Sequence, residues 1–137
     1  MANASDYLEQ QIYNHIFRDD TFSKPSTIAI GLTLDIPTDD GSYTEVADAN
    51  GYARYEHASG DAVWDAMAAP GSGTNTIELA FAVATGDWGT VSGVIITDDA
   101  THNGGNVLMH GALTSPRNVQ NGDTFKFSAG NIDVSIQ

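Results

Sequence analysis

At 137 residues the chain is long enough for one domain with its own core, and the absence of cysteine excludes a disulfide framework, a cysteine-based zinc site and a thiol nucleophile. Eighteen acidic residues face five basic ones (Arg18, Lys24, Arg54, Arg117 and Lys126), and the formal net charge of -13 disfavours nucleic acid and anionic membrane surfaces as partners. No apolar run approaches the ~20 residues of a membrane-spanning helix, and MANASDYLEQQ lacks the basic-then-apolar order of a signal peptide.

The first expected element is a short α-helix over about residues 6–18. Ser5 or Asp6 can cap it, and Asp6 with Glu9 has capping-box spacing. Leu8, Ile12 and Ile16 recur at helical spacing, and Tyr13 and Phe17 widen the stripe. Ser23, Lys24 and Pro25 then break the helix. After Pro25 the period becomes two, with Ile28, Ile30, Leu32 and Leu34 on one face of a strand. Asp35 to Ser42 is a turn, and GYARYEH places Tyr52 and Arg54 on one face with Ala53 and Tyr55 on the other. Residues 58–73 read as a short strand or turn near Ala62 to Trp64, followed by a loop through AAPGSG.

Ile77, Leu79 and Phe81 alternate inward along the next strand. The most apolar unit is the hairpin from Asp87 to Leu113, two strands joined by DDATHNGGN, which needs other strands to cover it. Pro116 and Asn121-Gly122 mark a connection with a tight turn. Phe125 and Phe127 share a face with Lys126 outward, and IDVSI closes the chain as a strand suited to a sheet edge. One helix and seven or eight short strands predict a single domain over 1–137, an antiparallel β-sandwich of jelly-roll or Ig-like type.

Candidate chemistry is sparse. His15, His57, His102 and His110 form no H-x-x-x-H or H-x-H pair, and neither Asp39-Asp40 nor Asp98-Asp99 fits a calcium-loop pattern. There is no G-x-S-x-G elbow, and Gly104-Gly105 does not open a helix. Tyr52, Tyr55, Trp64 and Trp88 could line a sugar-binding face, although core packing is the commoner role. The expectation is a chain without catalytic residues, metal or cofactor.

Taken in order, YLEQQIYNHIF, TIAIGLTL, GYARYE, DWGTVSGVIITD, GGNVLMHGAL and NGDTFKFSAGNIDVSI resemble a family of small tailed-bacteriophage virion structural proteins, tail-fibre-like or capsid-decoration-like. The resemblance runs from Tyr7 to Ile136, and residues 58–73 depart from it most. It implies β-rich subunits without catalytic residues, assembled on a virion in the host cytoplasm. The absence of stalk repeats favours a capsid decoration (cement) protein binding coat subunits; the alternative is a tail or tail-fibre-associated protein with host-glycan binding. Implied partners are major capsid or tail proteins and further copies of the chain, a trimer by analogy, with no nucleic acid and no membrane. Expected partner-binding residues are Tyr13 and Phe17 on the helix, Asp39 and Asp40 in the first long turn, and Asp98, Asp99, His102 and Asn103 in the hairpin loop. That loop is expected to lie outside the core, so that shortening Thr101 to Gly105 would spare folding.

Overall fold

The computed structural model describes residues 1–60, 62–67 and 71–136. Within them, the apolar hairpin forms as β6 (Gly89–Thr97) and β7 (Val107–Val119), with Val94 opposite Gly111, Ile95 opposite His110 and Ile96 opposite Met109. Val91, Val94, Ile95 and Ile96 are buried. The other edge of β6 takes β2 (Thr27–Thr33), with Leu32 opposite Val94. β3 (Tyr55–Ala58) then pairs with β2. Beyond β7 lie β1 (Ala2–Ala4), β9 (Asp133–Ser135) and β4 (Ser72–Thr74), so the sheet order is β3-β2-β6-β7-β1-β9-β4. A separate ribbon pairs β5 (Leu79–Ala80) with β8 (Lys126–Phe127). Its Leu79 and Phe127, with neighbouring Phe81 and Phe125, join Ile30, Leu32, Val94 and Ile96 in one apolar cluster.

Among the described residues the β-rich class and one N-terminal helix are as expected, but the sheet is not purely antiparallel. β1 is antiparallel to β7 and parallel to β9, which makes the seven-stranded sheet mixed. The last strand is also not an edge: β9 lies between β1 and β4, and the edges are β3 and β4. β1 and β4 carry the sequences ANA and SGT, in which Thr74 is the one residue of the β-branched and aromatic types that favour strands. Their extended form comes from pairing: β1 lies between β7 and β9, and β4 is held along β9. β7 also continues through Pro116 to Val119, where the sequence predicted a connection. The loop predicted through AAPGSG includes Ala68, Ala69 and Pro70, which lie outside the described residues, as do Asp61 and Gln137.

The helix α1 spans Asp6–Phe17, and Ser5 is its cap, accepting the Leu8 N–H at 3.3 Å. The Ser5 hydroxyl also donates to the Val107 carbonyl, and the Ser5 N–H donates to the Leu108 carbonyl at 3.0 Å. The cap thereby anchors the helix start to β7. Leu8 is buried with Ala4 and Leu108, and Ile12 packs at the margin. Burial of a leucine side chain contributes roughly 1.5–3 kcal/mol. The rest of the predicted stripe is undocked: Tyr13, Ile16 and Phe17 are 58, 63 and 71 % exposed. The helix outruns the sheet beneath it.

β2 departs from its predicted two-faced pattern. Ile30 and Leu32 are buried as expected, whereas Leu34 lies beyond the strand end and is exposed. Ala29, Gly31 and Thr33 on the opposite face are buried as well. A Cβ at Gly31 would lie 3.0 Å from Ile95 Cγ1 and 3.2 Å from Glu45 Oε1, so the cover on this second face is partly polar.

Gly111 controls how closely β1 approaches β7. A Cβ there would collide with the Met1 carbonyl and lie 3.0 Å from the Ala2 Cα, both backbone atoms. Gly111→Ala is expected to destabilise the fold by about 1–3 kcal/mol, through displacement of β1. A lowered urea midpoint with faster amide exchange in Ala2 to Ala4 checks this; an unchanged midpoint would refute it.

Candidate functional site

The polar cover over β2 is built by one excursion of the chain. Residues 44–46 continue the free edge of β2 where β3 leaves off. The Leu34 N–H donates to the Thr44 carbonyl (2.8 Å), the Val46 N–H to the Leu32 carbonyl (3.0 Å), and Thr33 faces Glu45 in an antiparallel bridge. The chain then loops away and returns with Tyr55 opposite Ile30. Glu45 and Arg54 stand at the two ends of this excursion.

Their side chains pair with no solvent exposure. Arg54 Nε donates to Glu45 Oε1 at 2.8 Å and Nη2 donates to Oε2 at 2.9 Å, the bidentate geometry in which arginine matches a carboxylate. The Tyr52 hydroxyl donates to Glu45 Oε1 (2.8 Å) and accepts the Leu32 N–H (2.9 Å). Arg54 Nη1 donates to Thr97 Oγ1 (2.9 Å), the Asp99 carbonyl (2.7 Å) and the Gly104 carbonyl (2.9 Å). The Asn103 N–H donates to Glu45 Oε2 at 2.7 Å. One ion pair therefore holds the excursion, the end of β6 and the hairpin loop together.

Burial opposes the charged form of Glu45, but the Arg54 hydrogen bonds, the Asn103 N–H, the Tyr52 hydroxyl and the Arg54 charge outweigh it and hold the carboxyl below its ordinary value of 4.5. Burial likewise works against the Arg54 cation, and the Glu45 hydrogen bonds and charge reverse that and raise it. The Tyr52 phenol is pushed up strongly, by burial first and then by the Glu45 charge. Neither side chain has exposed surface, and the pair acts as a clasp between the segments it joins.

The residues expected to bind partners fall into three settings. Tyr13 and Phe17 lie on the undocked end of α1, their ring centroids 5.0 Å apart. Asp39, Asp40 and Asn103 converge on a polar hollow of about 350 Å3, completed by Ser5, Tyr43 and Asn106. Asp39 Oδ1 is 3.0 Å from His110 Nε2, and Asp40 Oδ1 accepts from Thr38 Oγ1 (2.6 Å) and the Ser42 N–H (3.0 Å). The Thr38 and Ser42 contacts lower the Asp40 carboxyl.

Asp98, Asp99 and His102 shape the hairpin loop itself. Asp98 accepts from the Asn106 N–H (2.7 Å) and Nδ2 (2.9 Å), closing the loop base. Asp99 Oδ1 accepts the Thr101 N–H at 2.7 Å, which lowers its carboxyl. His102 donates from Nε2 to the Val46 carbonyl at 2.8 Å. The loop lies outside the core, as expected, but its backbone at Asn103 and Gly104 is fastened to the buried ion pair. Of the aromatic residues considered for a sugar-binding face, Tyr52 and Trp88 are core residues, packed edge-to-face at 5.3 Å.

Sequence reasoning missed Glu45. The available signal was the alternation of buried Tyr52 and Arg54, which in a chain of five bases asks for a buried acid.

Arg54→Met leaves Glu45 buried without its partner and is expected to destabilise the fold by about 3–5 kcal/mol; Glu45→Met with Arg54→Met should cost less than Arg54→Met alone. Urea unfolding at pH 7 compares the two, and a larger loss in the double variant would refute the assignment. Because the folded carboxyl lies below its unfolded value, the Glu45 contribution is present above pH 4.5 and is lost as pH falls through the folded value. Acid unfolding below pH 4.5 should therefore be shallower for Glu45→Gln than for the natural chain. Removing Thr101 to Gly105 should lower the melting temperature, contrary to the expectation from sequence.

The family model described as Podophage GP4 fiber I protein gp80 matches residues 3–135. No curated protein matches the chain. The matched span includes the buried ion pair, the pinned loop, α1 and the paired strands from β2 to β9. It agrees with the resemblance to tail-fibre-like phage virion structural proteins carried by the sequence motifs. The chain belongs to the family of the Podophage GP4 fiber I protein gp80.

Proposed function

We propose that the chain is a structural subunit of the tail-fibre apparatus of a podophage virion, assembled in the host cytoplasm, binding other virion proteins and carrying no catalysis. The observation that supports this is the family match over residues 3–135. The absence of stalk repeats points to capsid decoration, whereas a family described by its fibre protein favours the tail-fibre alternative.

Two surfaces suit contacts with neighbouring subunits, including further copies of the chain. The first is the helix end, where Tyr13, Ile16 and Phe17 expose apolar area that nothing in the described residues covers. The second is the hollow bordered by Asp39, Asp40 and Asn103. Asp98, Asp99 and His102 serve it indirectly, by holding the loop that carries Asn103. An internally fastened loop loses little freedom on binding, which favours assembly.

Density for the chain on the intact particle tests the proposal. Placement at the tail in a handful of copies is expected; hundreds of copies distributed over the capsid would overturn it. Tyr13→Ala with Phe17→Ala should leave stability within about 0.5 kcal/mol, as for exposed positions generally. The same variant should fall in abundance on purified particles, read by quantitative mass spectrometry. Undiminished incorporation would remove the helix end from the interface.

A further inference from the structure

An open cleft of about 390 Å3 lies beside β7, lined among others by Leu113, Arg117, Phe125, Lys126, Phe127 and Asn131. It sits where the register of β6 on β7 shifts, between Val91 opposite Arg117 and Gly93 opposite Ala112. Two of the chain's five bases, Arg117 and Lys126, line it, and no Asp or Glu does so among the described residues. The Arg117 guanidinium lies over the Phe125 ring, 5.7 Å from its centroid. Phe125 is buried and packed edge-to-face on Phe81 (5.9 Å) and Phe127 (5.2 Å), so the platform beneath the cation is fixed. Arg117 is exposed and pairs with no carboxylate among the described residues. Lys126 reaches Glu78 at 3.3 Å, but both side chains are half exposed, and such pairs are weak enough to exchange.

The end of α1 is the complement of this cleft. Tyr13, Ile16 and Phe17 are exposed there, and Asp19 and Asp20 follow the cap residue Arg18. The carbonyl end of a helix is its negative end, so two acids beside it have the unfavourable sign. Neither acid forms an ion pair among the described residues, and the carbonyls of Ile16 and Phe17 accept no hydrogen bond there. The segment therefore combines surplus negative charge, open acceptors and apolar rings, on a helix that outruns its sheet.

We propose that the end of α1 in one copy of the chain docks in the cleft of a second copy. Arginine and lysine are donors only, and the segment offers acceptors only where its acids and open carbonyls lie. The Arg117 fork fits a carboxylate of Asp19 or Asp20, and Lys126 supplies the second charge. Phe17 can cover the open face of the Arg117 guanidinium, whose other face rests on Phe125. Copies with a net charge of -13 repel one another, so their contact needs a surface of opposite sign. Arg54 is enclosed in the core, which leaves this cleft as the place where two bases stand together. Helix end and cleft share no residue, so the contact is head-to-tail and either closes into a ring or continues as a row. The inference deepens the tail-fibre reading and rests on it, since it names the surfaces through which repeated subunits meet.

Sedimentation of the full chain over a range of concentrations at pH 7 tests this. Concentration-dependent association is expected. Asp19→Lys with Asp20→Lys should weaken it at least tenfold, and so should Arg117→Glu with Lys126→Glu, with melting temperatures unchanged. Mixing the two variants should restore association, because each then offers the charge that the other needs. Asp48→Lys with Asp87→Lys, at exposed positions, alters net charge as much as the helix-end pair and should leave association intact. A monomer at every concentration, no recovery on mixing, or an equal loss in the Asp48 and Asp87 variant would each overturn the proposal. A chain that stays monomeric while its cleft variants are lost from the particle would assign the cleft to a different virion protein, and would overturn it too. Placement on the particle reads the fibre assignment separately: tail placement of a chain that does not self-associate overturns this contact alone.

Discussion

The buried pair of Glu45 and Arg54 is the constraint on which the rest of the structure depends. A carboxylate and a guanidinium withdrawn from water carry a desolvation cost that mutual attraction offsets only when the remaining donors and acceptors are also met. Here they are met by Tyr52, Tyr43, Thr97, Asn103 and the carbonyls of Asp99 and Gly104. Those groups come from separate parts of the chain. The pair is consequently less a source of net stability than a means of fixing three segments in one arrangement, since a half-satisfied network of this kind is worse than an apolar one.

This clasp explains features that a purely apolar core would leave unaccounted for. β2 is buried on both faces because the second face is covered by the excursion that Glu45 and Arg54 close. The hairpin loop keeps its shape through its own Asp98 and Asp99 contacts and its position through Arg54. On the apolar face, Tyr52 joins the two systems: its ring packs on Phe81 and Trp88, and its hydroxyl reaches Glu45.

The few bases are unevenly distributed over the molecule. One base is committed to the interior, and two others, Arg117 and Lys126, line one cleft, whereas Asp39 and Asp40 line another. In a chain with net charge -13, the position of a few cations decides what can approach and from which side. The exposed aromatic end of α1 adds a third surface, apolar where the others are polar.

Periodicity along the chain was enough to determine the β6–β7 hairpin, the inward faces at Leu79 with Phe81 and at Phe125 with Phe127, and the helix from its cap onward, whereas Ile77, expected on the same inward face, is exposed. At the paired phenylalanines and at Leu79 with Phe81 residue spacing alone reports the buried face, and in the helix it reports the element. The ordered motifs likewise carried the phage virion family. Spacing could not show that Ile16 and Phe17 overrun the sheet, or that ANA and SGT become strands, because those outcomes depend on which partner lies alongside. Nor could it join Glu45 to Arg54 and Asn103, or bring Arg117 to Lys126 and Asn131. Those groups meet only when β-pairing brings distant segments together: charge and burial are properties of the assembled neighbourhood, and a sequence window holds only one side of each contact.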